Sequence, residues 1–208
     1  VLHGIDLSLE GRFAHRRFDS RTFGYATIRS ITDANPWFVS PTGQSSDLIG
    51  YAFTQELGAT RTAGSARSLS LTAALDIELG AGWKLATYGA FADQRDVSRT
   101  DRIANEYILA EALGAIPDDP QTGYSPSVEG YFNPYGNGMA NSRAVLDAIS
   151  GFTDIRSRSR IYTGDLLADG PLASLPGGTA RLAIGGNVRR EEFATRSVNF
   201  VFSPRPEA

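Results

Sequence analysis

Apolar and polar residues alternate along four segments of the chain, and these segments form two pairs. Apolar residues or glycine occupy every second position of residues 69–79, 83–91, 162–172 and 180–188, with Thr87 as the exception. The first two segments flank the short turn Leu79-Gly80-Ala81-Gly82-Trp83, and the last two flank Leu175-Pro176-Gly177-Gly178. Because successive side chains of a strand point to opposite faces, each pair predicts a β-hairpin with one apolar face, within residues 65–95 and 156–193.

A further strand is predicted near the start of the chain, over residues 5–18. Ile5, Leu7 and Leu9 alternate there with polar residues, and Gly11 and Phe13 continue the apolar positions. On a helix, steps of two residues would rotate by about 200° and scatter these side chains around the axis. Period two therefore indicates a strand.

Long polar connections join the predicted strands at the ends away from the short turns. Residues 19–64 hold turn signals such as Asn35-Pro36, and residues 49–57 are expected to extend a strand. Residues 96–154 are expected to contain two short helices, one within residues 102–113 and one capped by Asn141 or Ser142 and ending at Ile149.

Strands of about ten residues or more, with short turns at one end and long loops at the other, are typical of transmembrane β-barrels. The sequence therefore predicts an all-β fold in which residues 1–208 form one antiparallel meander, a sector of a barrel. A soluble β-sandwich is the alternative, with the apolar face in a core. Gly89, Gly164, Gly170 and Gly186 on the apolar face favour the barrel, because glycine is a poor core filler.

Composition narrows the possible functions. The 208 residues are 41% hydrophobic with mean hydropathy −0.20, which a barrel strand tolerates because only alternate residues are apolar. A formal charge of −3 argues against a nucleic-acid partner, and the lack of cysteine excludes disulfides and thiolate chemistry. The chain begins at Val1 without a signal peptide, so we expect it to be an internal piece of a longer protein.

Candidate chemical groups are few, and each has a simpler interpretation. Asp76, Glu78, Asp165 and Asp169 lie at alternate strand positions, which favours the lining of a barrel lumen over catalysis. His3 and His15 are too far apart to share a zinc ion without further ligands. We therefore expect no enzyme activity, no catalytic or metal residues and no cofactor.

Three further sets of residues keep two interpretations each. Trp83 is either an interfacial aromatic residue or a hairpin cap, and Tyr88 and Tyr162 pose the same question more weakly. Asp118 and Asp119, with Asn133, Asn137 and Asn141, offer oxygen ligands for calcium or are solvated turn residues. The loop aromatic residues either capture a ligand or pack on their neighbours, and they are Tyr107, Tyr124, Tyr131, Phe132 and Tyr135.

Several segments resemble TonB-dependent outer-membrane receptors. They are Phe132-Asn133-Pro134-Tyr135-Gly136-Asn137-Gly138, residues 144–149, residues 164–186 through Leu175-Pro176-Gly177-Gly178, and residues 56–64. The resemblance implies a barrel of about 22 strands with an N-terminal plug, in the cell outer membrane. This chain has room for five or six strands and contains neither the plug nor the short energy-coupling box.

The resemblance also implies partners. These are outer-membrane lipid, a small-molecule nutrient and an inner-membrane energy-coupling complex that acts through the missing plug region. The nutrient is an iron chelate, cobalamin or a saccharide, and the sequence singles out no ligand-binding residue. A passive porin-like channel and a soluble β-sandwich that binds carbohydrate or protein are the competing functions.

Overall fold

The computed structural model describes residues 4–136 and 140–207, and this part of the chain is mainly β-sheet. In chain order its elements are β1 (Ile5–Gly24), β2 (Ala26–Thr32), β3 (Ser46–Ala52), β4 (Ala59–Gly80), β5 (Trp83–Ala104), α1 (Glu106–Ala112), α2 (Pro126–Glu129), α3 (Arg143–Ala148), β6 (Ser150–Leu175) and β7 (Gly178–Phe200). The five long strands form one sheet in the order β1-β4-β5-β6-β7, and β2 pairs with β3 in a second sheet. The prediction of an all-β antiparallel fold is confirmed.

Both predicted hairpins are present, and their strands of 22 to 26 residues exceed the predicted lengths. The tight β4–β5 turn uses three successive residues with positive φ, which are Gly80 (87°), Ala81 (52°) and Gly82 (78°). Glycine adopts such angles without steric cost, so the local sequence specifies this turn. β1 and β7 are the edges of the sheet, which does not close into a barrel within the described ranges.

The long strands pass through two compact units. Unit 1 consists of the described parts of residues 1–16, 65–96 and 157–195, and unit 2 of those of residues 17–64, 97–156 and 196–208. Every buried hydrophobic side chain in the described ranges belongs to unit 2. Unit 1 therefore consists of long paired strands without a buried core of its own.

Unit 2 has a hydrophobic core built from its two-stranded sheet and its helices. Phe53 and Phe132 are fully buried with ring centroids 5.5 Å apart, and Tyr51 contacts both rings edge-on. Ile31 of β2 and Ile108 of α1 belong to the same buried cluster. Sequence periodicity did not reveal β2, because Ile28 and Ile31 are an odd number of residues apart and so break the alternation.

The first long connection is the largest departure from prediction. Residues 19–64 were expected to be mostly loop, yet β1 continues to Gly24, β2 and β3 follow, and β4 already begins at Ala59. The expected strand at residues 49–57 is β3, which lies at Ser46–Ala52 and pairs with β2 instead of extending a long strand.

The two predicted loop helices are present. α1 is capped by the Asn105 side chain, which accepts hydrogen bonds from the Tyr107 and Ile108 amides, and α3 is capped by Ser142. α2 was missed because it has only four residues. None of the helices in residues 4–136 and 140–207 is long and apolar enough to cross a membrane.

We predict that the unit 2 core depends on Phe132. Phe132→Ala removes a fully buried ring from an aromatic cluster and should destabilise the unit by about 3–5 kcal/mol. Tyr135→Ala is the matched control, since Tyr135 is 51% exposed three residues away. Protease cleavage of unit 2 should accelerate strongly in the first variant alone, and equal rates would contradict this account of the core.

Candidate functional site

The strands of unit 1 have one apolar face, and cross-strand contacts define it. The Phe91 and Tyr162 rings lie 5.2 Å apart, and a Cβ on Gly11 would lie 3.4 Å from Leu71. A Cβ on Gly164 would likewise lie 3.5 Å from the Val188 side chain. Side chains that contact across neighbouring strands lie on the same side of the sheet. The predicted apolar positions of all five strands therefore share one face.

This face carries an apolar band, which we define as its residues within 5–13, 69–79, 83–91, 162–172 and 180–188. Leu9 is 74% exposed, Ile184 65% and Leu172 64%, so no part of the described protein covers them. Strand segments of nine to eleven residues span about 30 Å at 3.4 Å per residue. A tilted strand needs this length to cross the hydrocarbon layer of a membrane.

Aromatic residues lie near the two limits of the band. Trp83 is at the short-turn end, and Phe13, Phe91 and Tyr162 are at the other end. Trp83 packs against Gly170, where a Cβ would lie 2.2 Å from the indole ring. Only glycine at position 170 leaves room for the Trp83 ring on the sheet. Trp83 therefore packs against the neighbouring strand β6 as well as capping its own hairpin.

The opposite face of unit 1 carries a cluster of charged residues. Asp76, Glu78 and Asp169 line one hollow of about 350 Å³, together with Asp6 and Lys84. Asp165 lies apart and accepts a hydrogen bond from Asn187. Three of the four carboxylates noted in the sequence are thus brought together, and a basic residue shares their surroundings. This face presents charged and polar groups, as the lining of a lumen would.

Unit 2 contains an open cleft of about 420 Å³, here called the loop cleft. Glu111 of α1 and Tyr131 line it, with Asp118 and Ser127 from the intervening chain. Pro117 and Pro126 are also lining residues, and they restrict the backbone on either side of the cleft. The cleft combines an aromatic ring, carboxyl groups and a hydroxyl, which suits a polar organic ligand.

Glu111 is the unusual group of the loop cleft because it is fully buried. Its Oε1 accepts a hydrogen bond from the Asp119 amide at 2.6 Å, and no hydrogen bond of good geometry reaches its Oε2. Burial raises the pKa of Glu111, and the neighbouring Asp118 carboxylate raises it further. A carboxyl group with a raised pKa is protonated over a wider pH range and can then donate a hydrogen bond.

The loop beside Glu111 is held by Asp119. The Tyr107 hydroxyl donates to its Oδ2 at 2.8 Å, and the Gln121 amide donates to its Oδ1 at 2.9 Å. These two hydrogen bonds lower the pKa of Asp119, the amide contributing more. The cleft wall therefore combines a buried carboxyl of raised pKa with an adjacent ionised carboxylate that orders the chain.

A second buried carboxylate in unit 2 has a structural role that the sequence did not reveal. Glu106 is 6% exposed and contacts the Tyr25 hydroxyl and the Arg29 guanidinium. Burial, together with the hydrogen bond to Glu106, raises the pKa of Tyr25 to about 12. The contact joins the first turn of α1 to the segment around β2.

The loop aromatic residues divide into two sets. Phe132 is fully buried and Tyr124 is 4% exposed, so both belong to the core and cannot contact a ligand in the folded protein. Of the two interpretations given to the loop aromatic residues, packing on neighbouring residues therefore applies to these two. Tyr107, Tyr131 and Tyr135 remain partly or fully accessible, and only Tyr131 lines the cleft.

The oxygen ligands considered for calcium have protein partners instead. Asn133 and Asn141 close their loop reciprocally, through an Asn133 amide to Asn141 Oδ1 bond at 2.7 Å and an Asn141 Nδ2 to Asn133 carbonyl bond at 3.1 Å. Asn141 is 8% exposed, so it is not a solvated turn residue. Asp118 accepts a hydrogen bond from the Ser125 hydroxyl, and Asn137 lies outside the described residues.

His15 is exposed on β1, and His3 lies outside the described residues. Among residues 4–136 and 140–207, no group of three or more histidine, aspartate or glutamate side chains is placed to hold a metal ion.

No protein-family model matches this chain, and no curated protein is significantly similar in sequence.

We predict that Glu111 makes the stability of unit 2 depend on pH. A carboxyl whose folded pKa is raised stabilises the fold below its unfolded pKa, about 4.3, and this advantage is lost as the pH rises through the folded value. Glu111→Gln keeps the oxygen that accepts the Asp119 amide, but it cannot ionise. The variant should therefore gain stability relative to wild type as the pH rises above about 4.3. A parallel pH dependence in both proteins, measured by denaturant unfolding, would contradict the assignment.

Proposed function

We propose that this chain forms one sector of the wall of an outer-membrane β-barrel that takes up a scarce small-molecule nutrient. The observation that carries the proposal is the apolar band of unit 1. Five neighbouring strands present it at membrane-spanning length, aromatic residues lie near its limits, and the other face of the same strands is polar. Lipid outside and a polar lumen inside account for both faces.

The energetics favour lipid as the cover of this band. Each Å² of apolar surface left in water forgoes about 25 cal/mol, and the band contains exposed leucine, isoleucine and valine side chains on neighbouring strands. A hydrocarbon layer removes that surface from water without requiring a complementary protein face. Between neighbouring strands, the backbone amides and carbonyls of the sheet are satisfied by pairing, as a membrane interior demands.

The open edges of the sheet fit the same proposal. β1 and β7 each present one unpaired edge, and in lipid such an edge is not tolerated. In the proposed barrel, neighbouring strands pair with both edges and complete the wall. The inner-membrane energy-coupling complex would act on a plug region of that larger assembly.

Unit 2 supports a receptor in preference to a passive channel. It has its own packed core, and its loop cleft presents the exposed Asp118 carboxylate and the partly accessible Tyr131 ring. Carboxyl groups repel anions, whereas neutral hydroxyl-rich or cationic ligands gain hydrogen bonds from them. Among the nutrients considered, a saccharide or a similarly hydroxylated neutral ligand fits this cleft better than a negatively charged iron chelate.

We predict that the two faces of β4 tolerate charge differently. Leu75 lies in the middle of the apolar band, so Leu75→Arg should cost about 2–4 kcal/mol of folding free energy in lipid vesicles. Thr72→Arg adds the same charge on the polar face and should cost much less. Equal costs, or a monomeric chain that melts cooperatively in plain buffer, would contradict the membrane proposal.

We also predict a role for the loop cleft in ligand uptake. Shortening residues 130–150 would be too large a change, because it would remove the core residues Phe132, Val145 and Ile149 and so unfold unit 2. Tyr131→Ala is the sharper test, with Val128→Ala as control because Val128 is 82% exposed on the neighbouring helix α2. Uptake of radiolabelled oligosaccharide by cells carrying the complete receptor should fall about tenfold or more in the first variant only. Unchanged uptake of every nutrient class would exclude this cleft as the binding site.

A further inference from the structure

On the apolar face of unit 1, the side chains change from apolar to charged at about the same level on neighbouring strands. Beyond Phe91 the same face continues with Asp93 and Arg95, and beyond Tyr162 it continues with Arg160 and Arg158. Further positions on this face are basic as well, at Arg67 on β4 and Arg190 on β7. We call this set the arginine rim, and its arginines are Arg67, Arg95, Arg158, Arg160 and Arg190.

Ion pairs hold most of the arginine rim in place. Asp93 binds Arg158 through two hydrogen bonds, at 3.0 and 2.8 Å, and also contacts Arg95 at 3.2 Å. Glu192 contacts Arg160 at 3.6 Å and Arg190 at 2.7 Å. Each carboxylate is thus shared by two guanidinium groups, so part of the hydrogen-bonding capacity of each arginine stays free.

Arg67 has no carboxylate among these contacts and lies over the Phe13 ring, 5.8 Å from its centroid. The five arginines of the rim face two carboxylates, so the rim carries excess positive charge. At the same level the polar face is balanced, because Arg16 and Arg189 are matched there by Asp96 and Glu191. The excess is therefore a property of the face that carries the apolar band.

Position and charge together point to one kind of ligand. A molecule that fits both parts of this surface has an apolar tail against the band and an anionic headgroup against the arginines. Guanidinium groups bind phosphate oxygens through paired hydrogen bonds and keep their charge at any physiological pH. Held by Asp93 and Glu192, these guanidiniums lose little further freedom on binding.

We propose that the arginine rim binds the phosphate groups of anionic lipid headgroups in the membrane leaflet on the long-loop side of the strands. This inference rests on the proposed membrane location of unit 1, and it adds a lipid class and the residues that select it. The apolar band anchors the acyl chains, and the rim sets the level at which the headgroups lie.

The test compares lipid selectivity with insertion. The chain is folded into detergent micelles and titrated with phosphatidylglycerol or phosphatidylcholine, and bound lipid is counted by native mass spectrometry. Phosphatidylglycerol should be preferred, and Arg67→Gln/Arg190→Gln should weaken that preference roughly twenty-fivefold, about fivefold for each charge. Glu192 keeps Arg160 in this variant, so the rest of the rim remains paired.

Two further variants test whether the lipid preference depends on the position of the arginines or only on the net charge. Arg16→Gln/Arg189→Gln removes the same charge from the polar face and should leave the preference unchanged. Arg67→Lys/Arg190→Lys keeps the charge and should retain most of the preference. An equal loss in the polar-face pair would overturn the proposal, and so would displacement of the lipid by excess inorganic phosphate at constant ionic strength.

Insertion into pure phosphatidylcholine vesicles, measured by protease protection, tests the underlying membrane location separately. A chain that inserts but shows no preference for phosphatidylglycerol overturns the rim proposal and leaves the membrane proposal standing. A chain that does not insert overturns both.

Discussion

The constraint on which unit 1 depends is the pairing of long strands whose apolar side chains have no protein cover. Backbone hydrogen bonds across the sheet are satisfied regardless of what lies on either face, so the sheet can form without a core. The side chains on each face then determine which surroundings the sheet requires on that side. Leu9 and Ile184 on one face and Asp76 and Asp169 on the other require two different surroundings. A thin apolar layer beside a polar space supplies both.

In unit 2 much of the chain lies outside the regular sheet, so its backbone amides and carbonyls need other hydrogen-bond partners. Asn35 is 1% exposed and donates from Nδ2 to the Ala112 and Phe132 carbonyls, at 3.3 and 2.9 Å. Asn105 is fully buried, caps α1 and donates to the Ser203 carbonyl at 3.0 Å. Where distant segments meet, buried side-chain amides thus supply the hydrogen bonds that strand pairing supplies elsewhere. Removing the partners of either amide would leave a buried polar group unsatisfied and destabilise the fold.

The parts of the fold that could be predicted are those encoded locally. The β4–β5 turn, the alternation around it and the Ser142 cap of α3 depend on residues close together in the chain. β2 could not be predicted, since its pattern is irregular and its partner strand begins fourteen residues later at Ser46. The burial of Glu111 and Asn35 could not be predicted either. Their environment comes from contacts with distant segments, such as the Asn35 side chain with the Phe132 carbonyl.

The arginine rim can be recognised only once the register of the strands is known. In sequence, Arg67, Arg95 and Arg190 are separate polar residues where three alternations end. The contacts of Asp93 with Arg158 and of Glu192 with Arg160 place those ends at the same level of neighbouring strands. Period two then assigns the charges to the face that carries the apolar band. A one-residue slip of β6 would move Arg158 and Arg160 to the polar face and Gly170 away from Trp83, where the neighbouring side chains would clash with the indole. The seat of Trp83 at one end of the band and the ion pairs at the other therefore favour the same register of β5 and β6.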